Sequence, residues 1–287
     1  MSGPLEHTLD ALLPAEMAAK AEQVGVAKAH LPLRRLVPLG VLAGAFIGLG
    51  ANFSTVVTAG SLDPGVSKLL GGVVFSLGLI LVVVSGAELF TGNTLIIIAA
   101  AGRRVTVRAL LRNWLVVYVS NFVGAAAIAV LIVASGRLSA GNGAVGTRAL
   151  AIAEGKGSVV FGEAIVSAIL ANLLVCLAVW MTMSARTLID KVVVIVPPVA
   201  AFVAAGYEHS VANMFFFPTA ILQKAWAPDA FWATTETAAG NYPHVGWKAF
   251  LVDNLLPVTI GNIIGGALLV GLVYWFVYLR PAHHDAS

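Results

Sequence analysis

Two neighbouring side chains that can exchange protons and hydrogen bonds lie inside a long apolar stretch of this sequence. Glu208 and His209 are the only acidic or basic residues within residues 192–223. A run of that length can cross a bilayer as a helix. A lone buried histidine is in many proteins only a hydrogen-bonded core residue. An ionisable pair is costly in lipid, however, and therefore indicates a functional pathway.

The pattern around Glu208 occurs twice in the chain. In each copy a glycine is followed two residues later by a glutamate and five residues after that by an asparagine, namely Gly86, Glu88 and Asn93, then Gly206, Glu208 and Asn213. The copies are 120 residues apart, and the same spacing pairs Asn52 with Asn172. Further along, a spacing of 141 residues pairs Asn121 with Asn262. The chain is therefore expected to contain two repeats, each with a broken helix.

Each repeat contains three apolar spans, an odd number, so the two repeats must enter the membrane in opposite directions. The predicted spans are 36–59, 69–102, 113–136, 159–185, 192–223 and 254–279, of which the second and the fifth are broken. Inverted repeats whose broken helices meet near the membrane midplane are typical of small-solute pathways. The predicted fold is an all-α polytopic membrane protein of six transmembrane helices in two inverted three-helix repeats.

Composition and charge agree with this class. Of the 287 residues, 59% are hydrophobic and 11% are charged, and the mean hydropathy is +0.92, which excludes a soluble domain. The net charge of +3 does not indicate nucleic-acid binding, because the basic residues are scattered between apolar spans. Eleven of the 17 basic residues lie on the side of the termini. By the positive-inside rule both termini are expected in the cytoplasm.

The chain is expected to divide into three parts. Residues 1–35 form a polar, amphipathic segment on the cytoplasmic face, either a surface helix or a mobile gating segment. Residues 36–280 form the six-helix transmembrane domain, and residues 281–287 form a cytoplasmic tail.

His209 is the only histidine within a span, and Cys176 is the only cysteine. We therefore expect no metal site, no cofactor and no enzymatic activity.

Three further stretches are distinctive, namely GAELFT at 86–91, GYEHSVANM at 206–214 and DNLLPVTIGNIIGG at 253–266. These stretches resemble the formate/nitrite transporter family. Two more, LLPAEMA at 12–18 and ANLLVCLAVW at 171–180, are similar to the formate-channel branch. The resemblance covers nearly the whole chain. It implies an aquaporin-like protomer with broken second and fifth helices, assembled as a homopentamer with one pore in each subunit.

The resemblance also implies roles for individual residues. His209 is the central pore residue, and Thr91 is its partner on the loop at the first break. A polar network along the substrate pathway comprises Glu208, Lys156, Asn172 and Asn262. Apolar constrictions are formed by Phe75, Leu79, Leu89, Phe90, Val175 and Phe202. Asn93 and Asn213 stand at the starts of the returning half-helices, where their side chains could satisfy exposed backbone groups.

The expected function is a channel for small monovalent anions, with formate as the first candidate and with His209-linked protonation of the anion in the pore. Gly92 and Asn93 after Leu-Phe-Thr depart from many formate channels, so a nitrite or hydrosulfide channel is an alternative. A proton-coupled secondary transporter is another. The expected partners are the anion, protons, membrane lipid and a cytoplasmic protein at the amino-terminal segment. The sequence leaves open the direction of flux and the resting protonation of His209.

Overall fold

The computed structural model describes residues 11–60 and 63–280, and this part of the chain is helical, without a strand. The predicted tail at 281–287 and the beginning of the amino-terminal segment lie outside the described residues. The helices are α1 (Pro14–Ala29), α2 (Leu33–Val57), α3 (Pro64–Ser85), α4 (Phe90–Ala101), α5 (Val107–Ala134), α6 (Ala144–Gly157), α7 (Phe161–Ser184), α8 (Leu188–Ala204), α9 (Ser210–Trp226), α10 (Asp229–Thr235) and α11 (Ala249–Tyr278).

In the described part of the chain, five helices are long and apolar enough to cross a membrane, namely α2, α3, α5, α7 and α11. The predicted fifth span is present as two helices of 17 residues each, α8 and α9, with residues 205–209 between them. The predicted second span is likewise divided into α3 and α4. The prediction of an all-helical, multi-pass membrane protein with two broken helices is confirmed.

A glycine in the left-handed backbone region ends the first half of each broken helix. Gly86 has φ 72° and Gly206 has φ 74°, a conformation that side chains with a Cβ rarely adopt. The next residue closes the helix end in the same way in both repeats. The Ala87 N–H donates to the Val82 carbonyl, and the Tyr207 N–H donates to the Phe202 carbonyl, each at 3.0 Å. The local sequence therefore dictates both breaks.

Equivalent hydrogen bonds show how the two repeats correspond. The Asn121 side chain donates to the Gly40 carbonyl, whereas Asn262 donates to the Ala168 carbonyl. Gly40 and Ala168 are 128 residues apart, not 120. The pairing of Asn52 with Asn172 was therefore wrong, because the second repeat has eight fewer residues between its first helix and its broken helix. By the corrected spacing, α1 of the first repeat corresponds to α6 of the second.

Small residues bring the first and third helices of each repeat into close contact. A Cβ on Gly124 of α5 would overlap the carbonyl oxygen of Val41 in α2. A Cβ on Gly265 of α11 would overlap the carbonyl oxygen of Ile169 in α7 in the same way. Such backbone approach is a common basis of helix packing in membranes. The two closely packed helix pairs, α2 with α5 and α7 with α11, hold the two helix breaks between them.

Candidate permeation pathway

The two helix breaks meet at the centre of the molecule. Thr91 lies in the first turn of α4, and His209 directly precedes α9. The Thr91 Oγ1 and His209 Nε2 atoms are 3.0 Å apart, and both side chains are buried. The expected partnership of these residues thus corresponds to a direct hydrogen bond between the two repeats.

A second contact of the imidazole fixes which nitrogen carries the proton. His209 Nδ1 accepts a hydrogen bond of 3.1 Å from the Ala212 backbone N–H, so the ring caps the start of α9. A nitrogen that accepts from an N–H cannot itself carry a hydrogen. The neutral ring therefore carries its hydrogen on Nε2 and donates it to Thr91 Oγ1. The hydroxyl hydrogen of Thr91 is then available to another acceptor.

Apolar side chains and the His209 ring line a narrow central constriction. It encloses a void of about 10 Å³ lined by Ile47, Phe75, Leu79, Leu89, Val175, Val199, Phe202 and His209. The Phe202 ring stacks on the His209 ring with centroids 5.8 Å apart, and the Phe75 ring meets Phe202 edge-on at 5.7 Å. A void of this size holds about one water molecule. A hydrated anion therefore does not fit.

Five of the six residues expected at the constriction line this void, and Phe90 does not. The Phe90 ring packs edge-on against Tyr118 and Trp114 of α5, with centroid distances of 4.8 and 6.3 Å. Ile47 and Val199 were missed by sequence reasoning. Val199 lies three residues before Phe202 on α8, so helical spacing from a suspected pore residue could have identified it.

A polar cluster lies beside the constriction in the second repeat. Lys156 Nζ is 2.9 Å from Glu208 Oε1, and the Asn213 and Asn254 side chains donate to Glu208 Oε2 at 2.6 and 3.2 Å. The Asn254 side chain also donates to the Lys156 carbonyl. Only 4% of the Glu208 side chain is exposed, and its charge is balanced by a lysine that is itself 16% exposed. The lysine therefore holds the buried carboxylate and still reaches the adjoining cavity.

The first repeat contains the same cluster. Lys28 Nζ is 2.7 Å from Glu88 Oε1, and the Asn93 side chain donates to Glu88 Oε2 at 2.7 Å. Asn113 accepts from Asn93 and donates to the Lys28 carbonyl. Sequence reasoning missed Lys28, which lies on α1, part of the segment expected to be a surface helix or a mobile gating segment. The signal was its position 128 residues before Lys156, a spacing that becomes meaningful once the first helices are aligned correctly.

The remaining predicted polar residues, Asn172 and Asn262, form hydrogen bonds with backbone groups rather than line a cavity. Asn262 donates to the Ala168 and Glu208 carbonyls and accepts from the Ser210 N–H, so it joins three segments. Asn172 donates towards the Thr91 and Asn262 carbonyls. Among the described residues, these contacts place both asparagines behind the constriction, where they position the helix breaks.

Asn93 and Asn213 do not have the contacts expected for caps of the half-helices. Their side-chain amides donate to Glu88 and Glu208, respectively. The capping acceptor at the start of α9 is the His209 ring. The expectation was based on the general preference for asparagine at helix starts. Both asparagines instead lie one turn inside α4 and α9, where their backbone N–H groups already donate to the Leu89 and His209 carbonyls, so Leu89 and His209 occupy the cap positions.

A cavity opens on each side of the central constriction. The Lys156 cavity has a volume of about 330 Å³ and is lined by residues that include Lys156, Glu208, His209 and Phe202. The Lys28 cavity has a volume of about 310 Å³ and is lined by residues that include Lys28, Leu79 and Leu89. His209 and Phe202 line both the Lys156 cavity and the void, while Leu79 and Leu89 line both the void and the Lys28 cavity. The arrangement is an hourglass through one protomer.

Comparison with known proteins gives the same assignment. The family model described as "Formate/nitrite transporter" matches residues 15–276. The chain is 47% identical over 281 residues to the formate channel FocA of Escherichia coli (strain K12), covering 97% of this chain and 99% of that one. It is 38% identical over 285 residues to a probable formate transporter of Methanothermobacter thermautotrophicus, covering 93% and 97%.

Solved structures agree in fold. A pentameric formate channel with formate bound has a TM-score of 0.82 and 45% identity, covering 86% of this chain and 98% of that chain. An ion channel of the same family has a TM-score of 0.76 and 27% identity, covering 91% and 98%. The residues matched by the family model include the helices that form both cavities and the constriction. The chain therefore belongs to the formate/nitrite transporter family.

Proposed function

We propose that this protein is a membrane channel that passes formate through each protomer. The observation that carries this proposal is the hourglass, in which lysine-bearing cavities converge on an apolar constriction with one central hydrogen-bonding pair, Thr91 and His209. The ammonium groups favour an anion in the cavities. The constriction then selects by size, since it has no room for a hydration shell.

The electrostatic cost of crossing the constriction explains why protonation belongs to the mechanism. Moving a bare carboxylate into an apolar site costs several kcal/mol, whereas the neutral acid crosses more cheaply. The Thr91 hydroxyl can donate a hydrogen bond to the entering carboxylate. His209 Nε2–H lies directly beside that hydroxyl. Thr91 and His209 therefore lie where the anion loses its last water of hydration.

A proton relay through His209 needs a specific rearrangement. Nδ1 must release the Ala212 N–H and take up a proton, which makes the ring an imidazolium. Nε2 then transfers its hydrogen to a carboxylate oxygen, and the ring is left neutral with its hydrogen on Nδ1. Protonation thus competes with the cap of α9. The relay is part of this proposal, and His209 as a simple hydrogen-bond donor is the alternative.

We also propose a homopentamer in a bacterial inner membrane. The likeness to a solved pentameric channel supports the assembly. The excess of basic residues on the side of α1 supports a cytoplasmic location for the Lys28 cavity and both termini. Residues 36–280 then form the transmembrane domain, with α1 beneath it. The likeness to formate channels is the support for a channel rather than an enzyme.

Flux measurements in proteoliposomes test this function. Formate, nitrite, hydrosulfide, acetate and lactate are compared at the same pH, with an internal pH dye and with protein-free liposomes as the control for acid leak through lipid. We expect formate to pass fastest and its uptake to acidify the interior. Faster nitrite or hydrosulfide flux supports the corresponding alternative. Accumulation of formate against its gradient under acidic external pH instead supports a secondary transporter.

A further inference from the structure

The wall of the Lys28 cavity carries positive charge from several directions. The ionisable residues that line it are Lys20 and Lys28 of α1 and Lys191 of α8. Within residues 11–60 and 63–280, no carboxylate lines this cavity, because Glu88 lies behind Lys28 and outside the wall. In the Lys156 cavity, Glu208 itself lines the wall together with basic residues. Each cavity thus contains one lysine paired with a buried glutamate, and in the Lys28 cavity Lys20 and Lys191 add two positive charges that have no paired carboxylate among the described residues.

The three ammonium groups keep hydrogen-bond donors that other described residues do not use. Lys20 Nζ donates to the Met183 carbonyl at 2.6 Å, and Lys28 Nζ donates to Glu88 and Asn93. Lys191 makes no side-chain hydrogen bond or ion pair within residues 11–60 and 63–280. Since each ammonium has three N–H groups, donors remain on all three lysines.

The charges on this wall also repel one another. The pKa of the Lys20 ammonium is lowered, mainly by burial and further by the positive charges of Arg186 and Lys191. The nearest acidic neighbour on α8, Asp190, already accepts the backbone N–H groups of Arg186 and Thr187. An anion in the cavity would relieve this repulsion. Carboxylates of the described residues therefore balance only part of the positive charge on this wall.

The cavity is much larger than a one-carbon carboxylate requires. Its volume of about 310 Å³ corresponds to about ten water molecules and lies within the range of small-molecule binding sites. Its inner end narrows to Leu79 and Leu89, which also line the central void. A compact anion with several charges could therefore enter, contact more than one lysine and stop at the two leucines.

We propose that the Lys28 cavity is a binding site for a compact polyvalent anion, a small phosphate or polycarboxylate with two to four negative charges, which blocks the pathway from that side. Lysine is well suited to such ligands, because it presents a point charge that binds phosphate oxygens without a fixed geometry. Binding depends only on the cavity, whereas its effect on flux rests on the proposed function.

Calorimetric titration tests the binding. Inorganic pyrophosphate and citrate, each without divalent metal, are titrated into the full-length protein in a non-ionic detergent at low salt. We expect Lys191→Gln and Lys20→Gln each to weaken binding by about tenfold, the scale of removing one partly buried charge beside an anion. Lys191→Arg retains the charge and should retain binding. The matched control is Lys68→Gln, which removes a lysine from the wall of the Lys156 cavity.

Flux in proteoliposomes tests the block. Pyrophosphate is present on both faces, so the orientation of the protein does not matter, and formate flux is expressed as the ratio with and without it. We expect Lys191→Gln to raise the inhibitory concentration about tenfold and Lys68→Gln to leave it unchanged. The proposal is overturned by absence of binding, by equal binding in wild type and Lys191→Gln, or by binding without inhibition. Formate flux without pyrophosphate tests the channel function separately.

Discussion

Thr91 Oγ1 and His209 Nε2 lie 3.0 Å apart and join the two inverted repeats at the narrowest point of the pathway. The Thr91 backbone is itself held in place. Its carbonyl accepts the Thr94 hydroxyl at 2.6 Å and the Asn172 amide and Cys176 thiol at 3.3 Å. Because the backbone is fixed from behind, the hydroxyl can be presented to the anion with little loss of entropy.

Replacement of Thr91 by valine tests the role of the hydroxyl. Valine keeps the shape of the side chain but removes its donor, and a hydrogen bond to a charged group contributes about 1.5–3 kcal/mol. We expect formate flux in proteoliposomes to fall by about tenfold or more. The control is Thr147→Val on α6, where the hydroxyl bonds only to its own helix at Gly143. An equal loss of flux in both variants would contradict a specific role for Thr91.

Two substitutions of His209 separate hydrogen bonding from proton transfer. His209→Asn keeps a polar cap for α9 and a hydrogen-bond donor but cannot titrate, whereas His209→Phe keeps only the ring shape. We expect His209→Phe to abolish proton-linked formate uptake and to leave a passive anion leak. Flux and internal pH are recorded together. Proton-linked uptake at the wild-type level in His209→Asn would eliminate the relay and leave hydrogen bonding as the role of the ring.

The paired lysine and glutamate clusters should dominate the stability of the helix breaks. Lys28→Met leaves the Glu88 carboxylate buried without its cation, which is expected to cost about 3 kcal/mol. The double variant Lys28→Met/Glu88→Gln removes both charges and should recover most of the loss. Thermal denaturation in detergent measures both. The same pair of variants at Lys156 and Glu208 provides the matched test in the second repeat, and an unchanged midpoint in both single variants would refute the argument.

The central constriction should set the size limit. Phe202→Ala and Leu79→Ala each enlarge a void of about 10 Å³, so we expect both variants to admit acetate and lactate. Phe90→Ala is the control, because that ring packs against Tyr118 and should affect stability rather than selection. The ratio of lactate to formate flux is the measurement. Wild-type ratios in both enlarged variants would show that size is selected elsewhere.

The sequence by itself determined the membrane class, the spans and the two breaks. These features depend on local properties, namely the length of apolar runs and a glycine that adopts positive φ before a buried glutamate. The family resemblance, and not the repeat spacing, implied the pair of His209 and Thr91, whose side chains are in hydrogen-bond contact in the structure. The helical class and the family resemblance depend on such local features of the sequence, and both are confirmed.

Only the tertiary structure decided which face each side chain presents and which distant residue it meets. Lys28 reaches Glu88 across 60 residues, and Phe90 turns towards α5 instead of the pathway. The corrected repeat spacing, and with it the place of α1 in the first polar cluster, became visible through hydrogen bonds between separate helices. Such choices depend on how helices are rotated and packed, because almost every helix here is apolar on most of its surface and its periodicity does not reveal which face is buried.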